Sequence, residues 1–400
     1  MSLFAKIQKV EKISPRLRNL YLHRIARDIG ASLVGMYGPI FFYILSGSLQ
    51  FVLTFYGLIC LLYFVFIPLW AKLIRCLSMH ILMMIGNLLL ILYFIFLYFL
   101  ARSGDIVLSL IILLILSNTL FRLFYWAPYH IDFARFVNKH HRGRQLSFLA
   151  IIVSLLGIVL PIVSAFIISR FGFPVLFIFA IVLIFISSLP IFFIPHTREK
   201  YSFSYFETFR KLFSKKHFKT NLAYFADGVQ DYVGALIWPI FIFTLLKGEY
   251  MSVGLVSAAI VLVTCVLRYV TGEAVDRFDK KKLMKLSSLL YSLGWFFKAI
   301  VASGFHIFLV GVYHNFASVL FRTPLDVLTY EIAADEGHYV DEFTILREMS
   351  LNLGRVLMVV FSLVLLIFVN MAWIFIVAAI VSLLVNLVSK EEFYLVASSK

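Results

Sequence analysis

Eight ionisable side chains lie inside long apolar stretches of this sequence, where charge is costly. They are Arg24, Arg27, Asp28, Arg122, Asp227, Asp231, Arg322 and Asp326. A carboxylate beside a guanidinium can bind and release a proton, hold a charged ligand, or form an ion pair that closes a passage. At the centre of a bilayer each charged group costs at least about 2.5 kcal/mol, so each of these residues is a functional candidate.

The elements that position these residues are apolar helices. With 62% hydrophobic and 14% charged residues, the 400-residue chain has too little polar surface to coat a soluble globule. A helix crosses a bilayer with about 20 apolar residues. The stretches that meet this length are 20–46, 49–70, 80–101, 105–131, 145–169, 173–195, 219–246, 251–272, 283–303, 306–333, 345–369 and 371–389. The sequence therefore predicts an all-α integral membrane protein with twelve transmembrane helices.

The net charge of +15 is concentrated on one side of these predicted spans. Basic clusters lie before residue 20 and within 72–75, 135–144, 198–219 and 277–285. The opposite turns carry only Arg102, Arg170 and Lys247. The positive-inside rule then places both termini on the cytoplasmic side of the cell membrane. Because the charge follows the membrane surface, the expected partner is the lipid bilayer and no nucleic acid is predicted.

Counting the hydrocarbon thickness from the predicted outer ends places the charged residues in the cytoplasmic half of the spans. Asp28 and Asp227 fall at the inner boundary, and Asp231, Arg122 and Arg322 lie about one turn deeper. Two interpretations of this collar compete. It is either a cytoplasmic gate held by ion pairs or the inner end of a path for substrate and protons. Arg322 and Asp326, four residues apart, can also simply neutralise one another.

We divide the candidate residues between these two roles. The predicted substrate and proton path consists of Asp28, Arg122, Trp126, Asp231, Trp238, Asn315 and Arg322. The predicted gate and conformational residues are Arg27, Asp227, Gly272, Asp276, Arg277, Asp326, Arg142, Glu348 and Arg355. Packing or interfacial anchoring is the simpler explanation for the aromatic members. Lys298, near the outer end of its span, is predicted to extend towards the membrane surface.

A shift of about 200 residues brings many features of the chain into register. Pro39 falls on Pro239, Ser103 on Ser303 and Arg122 on Arg322. Two parallel six-helix units follow, at residues 1–196 and 219–400, joined by a basic segment at 197–218. In that segment Phe206, Phe209 and Phe213 recur at helical spacing, which fits either an amphipathic helix on the inner leaflet or a solvated linker.

Two turns carry a resemblance to a known family. The segment from Gly272 to Lys282, with the spacing G-x-x-x-D-R-x-x-K-K, resembles the signature loop of the major facilitator superfamily, although Asp279 stands where that family usually has glycine. Arg142 to Leu146 is similar to the family's R-G-x-x-L turn. Gly157 and Pro161 resemble the glycine–proline motif of its antiporters. In this fold the four helices that carry the eight charges line a central cavity.

The resemblance implies a secondary transporter that moves a small molecule by alternating access. Proton coupling is the economical expectation, with Asp231 as the coupling carboxylate, and efflux by antiport is suggested by the motif at Pro161. The alternative is a non-coupled protein of this fold, either a lipid scramblase or flippase or a ligand sensor. A nucleotide-binding loop, a nucleophile with an adjacent base and a metal-ligand spacing are all missing from the sequence, so no enzyme, cofactor or metal is predicted. A monomer is expected.

Overall fold

The computed structural model of this protein describes residues 14–136, 142–198, 201–215, 217–276, 280–335 and 340–387. Within these ranges the chain forms helices and contains no strand. The α-helices are α1 (Pro15–Gly35), α2 (Tyr37–Ser46), α3 (Leu49–Trp70), α4 (Met79–Ser103), α5 (Leu108–Phe136), α6 (Arg142–Ser187), α7 (Tyr205–Leu212), α8 (Phe218–Tyr232), α9 (Trp238–Leu245), α10 (Tyr250–Asp276), α11 (Lys280–Ala299), α12 (Gly304–Asp335), α13 (Val340–Phe368) and α14 (Ala372–Ser382).

Nine helical stretches within the described ranges are long and apolar enough to cross a membrane. One of them, Ile151–Phe193, is about twice the length that a single crossing needs. A shorter apolar helix covers Ala372–Leu387. Large apolar side chains such as Phe99, Phe185 and Phe368 are more than half exposed on the outer surface, as a lipid-facing surface requires. The prediction of an all-α, multi-pass membrane protein is therefore confirmed.

Helix α6 is two helices joined at Gly172, whose φ of 79° lies in the left-handed region that favours glycine. Pro161 before this break accepts a hydrogen bond from Tyr37 at 3.0 Å, whereas Ile184 after it packs against Gly30. Both parts of α6 therefore pack against the same helical stretch, Pro15–Ser46. The chain therefore reverses direction at Gly172.

The first helical stretch of the N-terminal half of the sequence (residues 1–196) and that of the C-terminal half (residues 219–400) are interrupted at equivalent positions. The boundary between α1 and α2 falls at Met36, and the π-helical turn Val233–Ile237 separates α8 from α9. Pro39 and Pro239 follow these interruptions, and a proline cannot donate the helical hydrogen bond to the carbonyl four residues earlier. The carbonyls of Gly35 and Ala235 therefore lose their regular helical donor. A π-turn often marks a functional site.

The two halves meet along two seams. In the first seam Tyr232 donates a hydrogen bond to the Leu53 carbonyl at 2.9 Å, and Gly57 of α3 faces Val359 of α13. In the second seam a Cβ on Gly254 of α10 would lie 2.7 Å from the Pro161 carbonyl oxygen of α6. Glycine thus permits close approach where the halves touch.

The connection between the halves contains α7, which begins with a capping box formed by Ser204 and Glu207. Phe209 packs against Phe64 of α3 at a ring-centroid distance of 5.5 Å. Phe206 and Phe213 are 83% and 61% exposed. Residues Tyr205–Leu212 of this segment are helical, and the exposed rings of Phe206 and Phe213 lie in and just after α7.

Candidate functional site

The first charged cluster lies between α1 and α5. Asp28 accepts hydrogen bonds from Arg24 at 2.5 Å and from Arg27 at 2.8 Å. The guanidinium of Arg27 lies 4.3 Å from the ring centroid of Tyr125 and 4.8 Å from that of Trp126. One carboxylate and the faces of several aromatic rings therefore stabilise the buried Arg27 and the partly buried Arg24 within the N-terminal half.

His23 extends this cluster, although sequence analysis did not select it. It is fully buried, and its ring nitrogens lie 2.7 Å from the Ser187 carbonyl and 3.0 Å from the Tyr125 hydroxyl. One turn before Arg27, it ties α1 to Tyr125 of α5 and to Ser187, the last residue of α6. Its position four residues before Arg27 is the one sequence signal that could have indicated it.

The second charged cluster lies in the C-terminal half, where α8 carries two carboxylates one turn apart. Asp227 pairs with Arg322 of α12 at 3.1 Å, and Asp231 pairs with Arg355 of α13 at 2.8 Å. The Asp227 side chain is 9% exposed, whereas that of Asp231 is 44% exposed. Asp231 is therefore both ion-paired and accessible from the space beside α8.

Arg122 of α5 approaches this cluster from the other half. It lies within electrostatic range of Asp231, as Arg322 does. Its guanidinium donates to the Cys60 sulfur at 3.4 Å and lies 5.8 Å from the Tyr63 ring. No carboxylate of the described residues forms an ion pair with it. Arg122 is thus a cation of the N-terminal half placed near a carboxylate that Arg355 already holds.

Glu348 of α13 joins polar groups of both halves. Its carboxylate accepts a hydrogen bond from Tyr63 of α3 at 3.1 Å and lies 3.8 Å from His130 of α5. Arg347 on its own helix donates to it at 3.1 Å. The side chain is 7% exposed, so this network is shielded from solvent. Glu348 therefore forms a buried polar contact between the halves.

A cavity of about 430 Å³ lies between the interrupted helices and is lined by residues of both halves. Gly35 and Met36 form one wall, and Gly234 and Ala235 of the π-turn lie in the wall from the other half. The lining also includes two residues predicted for the substrate path, Trp238 and Asn315. Its volume suits a small organic molecule.

The prediction for Lys298 is wrong, because this side chain does not extend towards the membrane surface. It is 4% exposed and lines the cavity. Its ammonium nitrogen lies 4.0 Å from the ring centroid of Trp295 and 4.6 Å from that of Trp238. Sequence analysis missed this role because Trp238 comes from a distant helix, although the spacing of Trp295 and Lys298 places both on one face of α11.

The structure separates some residues that the sequence analysis grouped. Arg27 and Asp227 are each paired within their own half. Arg322 pairs with Asp227, while Asp326, one turn further along α12, is exposed. Trp126 stacks on His130 rather than lining the cavity described above.

Four predicted residues belong to the turns that carry the family resemblance. Arg277 lies outside the described residues. Gly272 and Asp276 lie in the last turns of α10, and Arg142 begins α6, but their side chains are outside the described part of the structure. Their predicted conformational roles stay predictions.

The helical fold, the charged clusters at equivalent positions of two halves and the cavity between them are those of a membrane transporter. The family model of the Major Facilitator Superfamily matches residues 25–246 and 220–393, and the chain belongs to this superfamily. It is also similar to the "Uncharacterized protein YqgE" of Bacillus subtilis (strain 168), with 27% identity over 251 residues, which cover 58% of this chain and 56% of that protein. The match thus spans little more than half the length of that relative.

Proposed function

We propose that this transporter is a proton-coupled secondary transporter that works by alternating access between its two halves. The observation that carries the proposal is the accessible Asp231 carboxylate, which Arg355 holds at 2.8 Å within its own half while Arg122 of the other half lies nearby. Moving a guanidinium towards or away from a carboxylate changes how tightly the carboxylate holds a proton. A rearrangement of the halves would therefore change proton binding at Asp231.

The proposal includes twelve membrane crossings with both termini in the cytoplasm. Gly172 divides the longest apolar stretch into two crossings, and α11 and α14 supply the two that length and hydropathy alone do not identify. An even number of crossings in each half gives the parallel repeat that the 200-residue register indicates. The protein is proposed to act as a monomer in the cell membrane.

Antiport, and with it efflux of the substrate, is the proposed direction. It is supported by the glycine–proline motif of α6, which lies on the seam between the halves. Pro161 accepts a hydrogen bond from Tyr37 of α2 and lies against Gly254 of α10, and Gly157 faces Val261. A proline at this seam leaves a carbonyl without its helical donor at the place where the halves must separate.

Flux measurements in proteoliposomes test the coupling. A substrate is first selected by thermal stabilisation of the purified protein against a library of small organic molecules. We expect an imposed pH gradient to drive accumulation of this substrate by the wild type. Asp231→Asn should abolish gradient-driven accumulation and keep substrate exchange, because the neutral side chain cannot release a proton.

Asp105→Asn is the matched control, since it removes an exposed carboxylate from the turn before α5. This variant should accumulate substrate as the wild type does. Wild-type flux that does not depend on the pH gradient would support the non-coupled alternative. Accumulation by Asp231→Asn at the wild-type level would place the coupling group elsewhere.

A further inference from the structure

The cavity between the halves contains a buried cation that the proposed coupling does not use. Lys298 is 4% exposed, and its ammonium group lies against two indole rings. Within the described part of the chain no carboxylate pairs with Lys298, and the residues that line the cavity include no acidic side chain. A buried ammonium without a counter-charge is unfavourable, because cation–π contacts replace only part of its hydration.

Other polar groups in and beside this cavity would also suit an anionic ligand. Asn315, which lines the cavity, carries an amide group that can donate hydrogen bonds. His314, its neighbour on α12, is 4% exposed and lies next to the lining, and its Nδ1 has no hydrogen-bond partner among the described residues. The remaining wall is mostly apolar, with Met36, Ile242 and Ile260 among its residues. An anionic group at Lys298 would thus be continuous with an apolar surface.

We propose that Lys298 binds the anionic group of the transported substrate, and that the substrate is a small organic anion whose apolar body lies between the two interrupted helices. The ammonium supplies the counter-charge, and Trp238 forms the aromatic part of the wall, while Trp295 packs against the same ammonium. The cavity volume of about 430 Å³ admits a monocarboxylate with an aromatic ring or a short acyl chain. This inference rests on the proposed transport function, because it names the class of its substrate.

Equilibrium binding to the full-length protein in detergent tests the site without any gradient. The probes are benzoate and its uncharged isostere benzamide, and the signals are tryptophan fluorescence and the melting temperature. We expect saturable binding of benzoate and at least tenfold weaker binding of benzamide. Lys298→Met should weaken benzoate binding about tenfold to a hundredfold, which corresponds to a lost charge-assisted hydrogen bond.

Two further variants make the result specific. Lys298→Arg keeps the charge and should keep the preference for benzoate over benzamide. Lys285→Gln removes an exposed lysine from the start of the same helix and should bind benzoate as the wild type does. Without ligand, Lys298→Met should melt at or above the wild-type temperature, because it removes an unpaired buried charge and keeps the aliphatic stem.

Several outcomes would overturn the inference. They are equal binding of benzoate and benzamide, no saturable benzoate signal at millimolar concentration, and unchanged benzoate affinity in Lys298→Met. A Lys298→Met protein that melts far below the wild type and still binds benzoate would assign this lysine to packing. Failure of proton coupling is distinguishable, since it would abolish gradient-driven flux and leave the binding difference between the two probes intact.

Discussion

At the scale of single residues, the two halves stabilise their buried charges by different means. In the N-terminal half Asp28 holds Arg24 and Arg27, and aromatic rings of α5 cover both guanidinium groups. In the C-terminal half each of two carboxylates has its own arginine. The N-terminal cluster thus has two guanidinium groups for one carboxylate, whereas in the C-terminal cluster each of the two carboxylates is matched by one arginine.

Glu348 provides the most direct test of a polar contact between the halves. Tyr63→Phe removes the hydroxyl that donates to Glu348 at 3.1 Å and keeps the ring. Because Arg347 and His130 still contact the carboxylate, we expect a loss of about 1 kcal/mol in the free energy of unfolding. Thermal denaturation in detergent measures this change.

The control for that measurement is Tyr98→Phe. Tyr98 is a half-buried residue of α4 that packs edge-on to Phe99, and within the described residues its hydroxyl makes no hydrogen bond. This variant should melt as the wild type does. Equal melting of both variants and the wild type would show that the contact between Tyr63 and Glu348 contributes nothing to stability.

At the scale of helices, apolar length and turn residues made much of the fold predictable. Helix α3 was predicted at 49–70 and begins and ends there, and α4 extends a predicted 80–101 by only a few residues. Local sequence determines such bounds because Ser48 caps α3 and Gly47 and Gly104 occupy the left-handed conformation in the turns.

Helix-to-helix distances were not predictable in the same way. The sequence placed Arg27 and Asp227 together in a gate, but in the structure Arg27 pairs with Asp28 and Asp227 pairs with Arg322, each within its own half. The position of Lys298 was predicted wrongly for a related reason, since its burial depends on Trp238 of α9, which is far away in the chain. Pairing among distant helices is decided by packing, which a single sequence does not state.

The contact between α8 and α13 depends on glycine. A Cβ on Gly354 would overlap the carbonyl oxygen of Phe225, and one on Gly228 would overlap that of Leu351. Gly354→Ala should therefore destabilise the protein by about 1–3 kcal/mol, because the two backbones must separate. Gly35→Ala is the matched control, since a Cβ at Gly35 meets no heavy atom within 4 Å. Thermal denaturation that ranks the two variants equally would contradict this packing.

The linker helix tests the proposed orientation. Arg210 is exposed on α7, and Arg102 is exposed at the opposite end of the fold, in the last turn of α4. In a background without Cys60, Cys76 and Cys265, we expect Arg210→Cys to react with a membrane-impermeant maleimide only after the cells are permeabilised. Arg102→Cys should react in intact cells. Labelling of position 210 from outside intact cells would show that the proposed orientation is wrong.

At the scale of the whole molecule, the cavity and the polar groups around Glu348 lie where the halves meet. The wall formed by Gly35 and Met36 faces the π-turn of the other half. Glu348 accepts a hydrogen bond from Tyr63 across the same division, and Arg122 lies within electrostatic range of Asp231. Movement of one half against the other would change these contacts together. Alternating access thus predicts that fixing the halves to one another stops transport.

A disulfide across the second seam tests this requirement. A Cβ on Gly254 would lie 2.9 Å from the Cβ of Ala165 in the other half. In the cysteine-free background, Gly254→Cys with Ala165→Cys should form a disulfide on oxidation. The helices α6 and α10 must separate slightly, so that the Cβ at position 254 clears the Pro161 carbonyl and the two Cβ atoms reach the usual separation of about 3.8 Å. We expect oxidation to abolish substrate flux in proteoliposomes and reduction to restore it.

The matched control places the same cross-link inside one half. A Cβ on Gly30 would lie 3.1 Å from the Cβ of Leu183, and both residues belong to the N-terminal half. Oxidised Gly30→Cys with Leu183→Cys should keep its flux, because a rigid half still moves as a unit against the other. Mass spectrometry confirms that each disulfide has formed. Full flux through a protein that is quantitatively cross-linked between Gly254→Cys and Ala165→Cys would show that this seam stays closed throughout the cycle, and it would exclude separation of the halves there as a step of transport.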